Sequence, residues 1–301
     1  ESKAGDTQRE IKEKTGKVVS VITEPEEDYE IVLQGTPAGM YPNIAASPVP
    51  LFSLRHISFA FDTIYNPIST LLTNAVNFSG GTGVNGLQML VCQAGYAQKY
   101  FYDAVFSTEQ FRAVENTVKK QLERFSFPKN IILIGPPGSG KSSLMEGIGR
   151  IFQSSAVDLD AEIERKTGME IKRLFSEKGE RYFRQLEEET ALDLCAETGK
   201  VISTGGGIVE TASCMQRLFE NPDNIVVSLM PSKEILLSRL SGDTKRPLLA
   251  GNMEVKLAEL LQRRMPLYQK YAHIPVCISK EMPVKDTVLK ICDRIIAYTK
   301  K

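Results

Sequence analysis

Residues 135–142 read GPPGSGKS and satisfy GxxxxGK[ST] at every fixed position. The chemistry of such a loop is phosphate binding. Its glycines let backbone N–H groups turn inward around a triphosphate, Lys141 reaches the β and γ phosphates, and the Ser142 hydroxyl can ligate Mg²⁺. Gly135, Pro136, Pro137, Gly138, Ser139, Gly140, Lys141, Ser142 and Ser143 are thus the candidates to hold ATP. A cradle of this kind needs a strand behind it and a helix in front. Residues 131–134 are an unbroken apolar run, as in a strand buried on both faces. Leu144, Met145, Ile148, Ile151 and Phe152 then recur at helical spacing, which aims a helix N-terminus at the phosphates.

Further along, VDLDAEI carries Asp158 and Asp160. Two apart at a strand end they would point to one face, so that one could act through water on Mg²⁺ while the other meets a phosphoryl acceptor. The alternative is that Asp160 only caps a helix beginning at Ala161. Arg184, in RYFRQLE, is either a ligand for an anion or an ordinary ion-pair partner of Glu187 or Glu188. In STGGGI, Gly205, Gly206 and Gly207 offer bare backbone N–H groups or merely a flexible turn. Arg246 lies in the polar loop DTKRPLLAGN and Arg264 near a helix end in RRMPLY. Separate arginines joined to Lys141 are what a phosphate and a carboxylate in one cleft require.

The elements that must position these residues alternate regularly. Strand candidates at 131–134, 156–159, 200–202, 225–229 and 275–279, separated by helical segments, predict a P-loop kinase domain: a five-stranded parallel sheet with helices on both faces. Residues 1–127 open with a polar helix over 3–14, then strand candidates at 18–22, 30–33 and 56–64 and helices over 68–78 and 87–102, a partial Rossmann-like α/β arrangement. GTGVNG at 81–86 satisfies GxGxxG, but a helix-like segment precedes it, so a turn is expected there rather than a dinucleotide fingerprint. Residues 107–125 carry Phe111, Val114, Val118 and Leu122 on one helical stripe, a helix docked on a neighbour rather than a loose connection. The expected domains are 1–110, a linker helix at 111–127, and 128–301.

Composition narrows the partners. Lys+Arg and Asp+Glu balance at 37 each, which argues against nucleic acid or a membrane surface; no apolar run approaches bilayer-spanning length and the first thirty residues are too polar to read as a signal peptide, so a cytoplasmic location is expected. Five widely spaced cysteines read as free thiols, and two histidines leave no zinc set.

Taken jointly, GPPGSGKSS, DLD, FRQLE, TGGGI, RPLL and RMPLY closely resemble the shikimate kinase family over nearly all of residues 129–299. The resemblance implies that Asp160, Arg184, Gly206 and Arg264 bind shikimate, the arginines facing its carboxylate and Asp160 its ring hydroxyls. It also implies that Arg246 closes on ATP and that Arg239, with a loop near 279–283, lies beside the adenine. The implied reaction is ATP-dependent phosphorylation of the shikimate 3-hydroxyl, with Lys141, Asp160 and Arg246 catalytic. A gluconate-type kinase or a non-catalytic nucleotide-binding module are the alternatives.

Upstream, GTPAGMYPN, DTIYNPISTLL and NGLQMLVCQAGYA resemble the C-terminal half of shikimate dehydrogenases over about the first 105 residues. That resemblance places Tyr65 and Gln93 near a substrate and Gly86 and Met89 beside a nicotinamide. The family's catalytic lysine and aspartate and its NADP pyrophosphate loop have no counterpart here, and Gln34 stands where asparagine is usual. Hydride transfer by this chain is therefore not expected, and NADP would require an upstream half. With Glu rather than Met first, the two resemblances together imply a fragment of a bifunctional dehydrogenase/kinase.

Overall fold

The computed structural model describes residues 2–22, 29–122, 127–241 and 253–300. After a polar helix α1 (Ser2–Thr15), strands β1 (Ile31–Gln34), β2 (Phe59–Asp62) and β3 (Thr82–Val84) form a parallel sheet in that order, with α2 (Leu71–Phe78) between β2 and β3. Helices α3 (Leu87–Tyr102) and α4 (Thr108–Gln121) follow and pack together, Phe111 filling the space over Gly95 and lying 6.1 Å from the Tyr96 ring. Residues 18–22, expected as a strand, pair with nothing in either sheet: Val18 and Val21 are exposed, and an isolated β-branched run without a ladder partner has no stable strand to form.

The second sheet contains β4 (Asn130–Ile134), β5 (Ser155–Asp158), β6 (Lys200–Ser203), β7 (Asn224–Pro231) and β8 (Ile274–Ile278), all parallel, in the order β5-β6-β4-β7-β8. Between them run α5 (Lys141–Phe152), α6 (Leu159–Thr167), α7 (Ile171–Leu194), α8 (Ala212–Glu220), α9 (Lys233–Leu240) and α10 (Met253–Lys270), with α11 (Val284–Thr299) last. β4 and β7 are buried along their whole length, which is why both read as continuous apolar runs rather than alternating ones. Ile132 and Ile134 join Leu159, Phe183, Ile202 and Tyr268 on one face, whereas Ile131 and Leu133 join α5 and α11 on the other. No described helix is long and apolar enough to cross a membrane.

The same cluster that contains Ile131 and Leu133 continues into the first 80 residues through Leu51, Leu54, Leu71, Leu72, Ala75 and Val76. Polar contacts follow the same seam. The Asp293 carboxylate of α11 accepts the N–H groups of Leu51 and Phe52 at 2.6 and 3.0 Å, capping a short turn of helix, and Asn74 Nδ2 of α2 donates to the Ile151 carbonyl of α5 at 3.0 Å. Lys285 Nζ donates to the Arg55 and Ser79 carbonyls. Helices α5 and α11 are thus sandwiched between the five-stranded sheet and the front segment.

Candidate active site

The strand order reverses at β4, which has β6 on one side and β7 on the other, and ligands of open parallel sheets collect outside the carboxyl ends at such a point. The phosphate loop leaves β4 there. Gly138 and Gly140 adopt φ of +80° and +90°, a region closed to most side chains, and Gly140 is the residue from which α5 starts. Lys141 Nζ donates to the Gly135 and Pro136 carbonyls at 2.8 and 3.1 Å and to Ser139 Oγ at 3.3 Å, so the ammonium lies folded along the loop it serves.

Register brings the neighbouring strand ends to the loop. Asp158 pairs with Ser203 across β5 and β6, and Ser142 Oγ donates to Asp158 Oδ2 at 3.0 Å with Ser203 Oγ 3.4 Å away. The two aspartates do not share a strand face: β5 ends at Asp158, and Asp160 sits in the first turn of α6. Nor is Asp160 the cap. Asp158 Oδ1 accepts from the N–H groups of Asp160 and Ala161, because its extended backbone precedes the helix while that of Asp160 is already inside it. Asp160 points inward instead, with Oδ1 buried and unpartnered among described residues. Burial and then the Asp158 charge push its carboxyl up, against the pull of Lys141. A cavity of about 370 Å³ joins the loop, Asp158, Asp160, Ser203 and Gly205–206.

Behind it stands a set of buried charges. Arg184 donates from Nη1 to Glu187 Oε2 at 2.6 Å and from Nη2 to Glu180 at 3.2 Å; Glu188 bonds Ser213 instead. Glu187 is 1% exposed and its Oε1 has no partner among the described residues. Burial pushes its carboxyl up to about 7, Arg184 offsetting only part of the effect. The three glycines are there for room: a Cβ on Gly205 would sit 2.8 Å from Glu187 Oε1 and 3.1 Å from Asp160 Oδ1, one on Gly206 3.1 Å from Pro137, and one on Gly207 would strike Arg184. Arg264, 8% exposed, donates to the Gly206 carbonyl at 3.2 Å and to Glu210 at 2.6 Å, and the Tyr268 hydroxyl donates to the same Gly206 carbonyl at 2.6 Å. Glu187, Glu210 and Tyr268 were missed as site members, although RMPLY contains Tyr268 and FRQLE contains Glu187 three residues from Arg184.

On the opposite flank of the loop, a cavity of about 280 Å³ is lined by Ser143, Arg239, Ile278, Glu281 and Met282. Arg239 donates from Nη1 to the Gly138 carbonyl at 3.2 Å and makes a two-pronged pair with Glu281 at 2.8 and 2.7 Å. Arg246, with the polar loop expected at 243–252, lies outside the described residues.

Far from this cleft, Tyr65, Met89 and Gln93 are exposed on the front segment and Gly86 is buried at the start of α3, where a Cβ would strike the Thr63 carbonyl. The GTGVNG stretch is not a turn: β3 runs through its middle and α3 follows at once. Its amides are nonetheless taken. Gly81 donates to Val76 O, Gly83 to Asn77 Oδ1 and Gly86 to Ile64 O, at 2.8 to 3.0 Å, so no glycine N–H of the motif is left for a pyrophosphate. Gln34 is buried and organises the loop after β1 through Thr36 and Ala38.

Parallel order, phosphate loop at the reversal and paired acidic residues beside it define a P-loop phosphotransferase of the small-molecule kinase type. A family model for shikimate kinase matches residues 137–298, more than half of the chain. The shikimate kinase of Thermodesulfovibrio yellowstonii is 43% identical over 143 residues, 47% of this chain and 82% of its own length. That of Pseudomonas fluorescens is 39% identical over 168 residues, covering 56% and 96%. A shikimate kinase from Acinetobacter baumannii, solved in complex with shikimate, superposes with a TM-score of 0.55 at 35% identity, over 59% of this chain and 98% of its own. The chain belongs to the shikimate kinase family.

Proposed function

We propose that this chain transfers the γ-phosphoryl group of ATP to the 3-hydroxyl of shikimate. The observation that carries the reading is one cleft in which a phosphate loop adjoins a half-buried carboxylate with a buried oxygen that has no partner among the described residues, with Arg184 and Arg264 held against the glycine loop that lines it. In this reading Gly135 to Ser143 and Arg239 hold ATP, and Asp160, Arg184, Gly205 to Gly207 and Arg264 hold the acceptor. Arg246, carried by sequence resemblance, closes on the phosphates. Ser142 Oγ and, through water, Asp158 offer hard oxygen donors beside the loop that fit Mg²⁺, which when bound neutralises phosphate charge. Lys141 and the loop amides meet the charge on the transferring group. The acceptor oxygen bonds to phosphorus as the bond to the ADP oxygen breaks, and Asp160 Oδ1 receives the hydroxyl proton, a role suited to a carboxyl raised by burial.

Residues 128–301 are the proposed kinase domain, 111–127 the link and 1–110 a dehydrogenase-like part that on its own turns over no NADP. A cytoplasmic site and no nucleic-acid or membrane partner accompany the neutral composition. The test is phosphorylation of shikimate, gluconate and nucleoside monophosphates by wild type, Arg184→Ala and Arg264→Ala. Shikimate should be preferred, and each variant should lose roughly ten- to a hundredfold in kcat/KM for it with the KM for ATP unchanged. An equal loss of ATP affinity in a folded variant would overturn the acceptor assignment.

A further inference from the structure

Just past the glycine loop that lines the cleft stands a carboxylate that phosphoryl transfer does not use. Glu210 closes the short turn Ile208–Glu210 after the glycine loop, its N–H on the Gly207 carbonyl at 3.0 Å. Its Oε2 accepts from Arg264 Nη2 and its Oε1 from Arg263 Nε, both at 2.6 Å. Arg264 Nη1 is held by the Gly206 carbonyl, so two of the three guanidinium nitrogens are engaged, and Nε is buried without a partner among the described residues. The Arg263 side chain is 65% exposed, which leaves Arg264 as the group through which Glu210 acts in the cleft.

We propose that Glu210 is a positioning residue of the acceptor site, fixing the Arg264 fork against the glycine loop so that the guanidinium is presented to a carboxylate on the acceptor. The inference rests on shikimate being that acceptor. An arginine side chain loses much rotamer freedom on binding, and an anchor that orders it beforehand removes that cost from the binding step. The opposing effect is repulsion between Glu210 and an incoming carboxylate. Arg263 settles the balance, because two guanidinium groups sharing one carboxylate leave the cluster net positive. Glu210 also remains ionised: burial raises its carboxyl, but Arg264 and Arg263 hold it below the ordinary value.

The test is steady-state kinetics on the full chain with Glu210→Ala and the near-isosteric Glu210→Gln. The KM for shikimate should rise about tenfold in Glu210→Ala and less in Glu210→Gln, with kcat within about twofold and the KM for ATP unchanged. Loss of a merely structural contact would move all three. In an Arg264→Ala background Glu210→Ala should add nothing, since the anchor has no fork left to hold. An unchanged or lowered KM in the single variants, or additive effects in the double variant, would overturn the inference alone. A wild-type protein inactive on shikimate but active on another acceptor would overturn the acceptor reading and this inference with it.

Discussion

The two parallel sheets place polarity in opposite ways. At the carboxyl end of the five-stranded sheet, Glu187 and Arg264 are buried and Asp160 half-buried, and each carries one buried atom without a hydrogen-bond partner among the described residues. The three-stranded sheet does the reverse. Its register aligns Ile31 with Phe59 and Leu33 with Phe61, and on that face Leu33 is 74% exposed and Ile31 59%. Parallel sheets are ordinarily covered on both faces, and here the cover lies on one side only, where α2 and the kinase helices α5 and α11 share a core with it. Buried charge is costly and persists where function requires it, whereas exposed apolar surface marks a face without a partner within the described residues. One sheet is built to bind a polar ligand, the other is half covered.

The largest effect is expected where the two regions meet. Leu72 is 1% exposed on α2 and belongs to the cluster that contains Ile148, Ile151 and Leu289. Leu72→Ala should cost about 2–5 kcal/mol, as for a large-to-small change in a packed core, and should lower the melting of kinase activity and of total ellipticity together. Loss of ellipticity at a lower temperature with kinase activity melting as in wild type would mean that the front segment is a separate body after all.

That seam was invisible in the sequence for a physical reason. Apolar periodicity reports that a helix has a buried face, not what buries it, so α2, α5 and α11 could be read as elements but not as one layer. The phosphate loop and the five strands were legible because strand, glycines, lysine and helix are contiguous and each constrains the next. Asp158 and Asp160 were located correctly at a strand end but given the wrong geometry, since the chain enters α6 one residue after β5 stops. The alternative for Arg184, an ion pair with Glu187, is present in the structure and does not exclude a binding role, because the pair holds the arginine against the glycine loop. Partners such as Glu210 for Arg264, 54 residues apart, have no local signal. The segment 18–22 shows the converse: β-propensity with no neighbour to pair with leaves no strand.

A second, smaller effect tests the buried charge. Glu187 titrates near 7 in the folded chain against 4.5 as its ordinary value, so the fold favours its neutral form. The sign follows: its favourable contribution is complete below about pH 4.5 and is lost as pH rises through 7. Relative to Glu187→Gln, which cannot ionise, wild type should lose on the order of 1–3 kcal/mol of unfolding free energy between pH 5 and about pH 8. Denaturant titrations of both proteins at the two pH values measure it. A constant difference would show that the Arg184 pair, not burial, governs this carboxyl.

The smallest effect sharpens the other half of the comparison. Leu33 projects from an edge strand paired only with β2, and with most of its side chain already in water there is little transfer energy to lose. Leu33→Lys should therefore change stability by no more than about 0.5 kcal/mol, the range of surface substitutions, while adding a charge to the edge strand that opposes strand-to-strand association. Calorimetric melting of the purified chain, with sedimentation velocity at two concentrations, reads both quantities. A loss above roughly 1 kcal/mol would mean that something covers this face in solution. Sedimentation then separates the two ways that can happen: a concentration-dependent wild type that Leu33→Lys renders monomeric would identify a second copy as the cover. A monomer in both proteins would place the cover within the chain itself and remove the contrast between the two sheets.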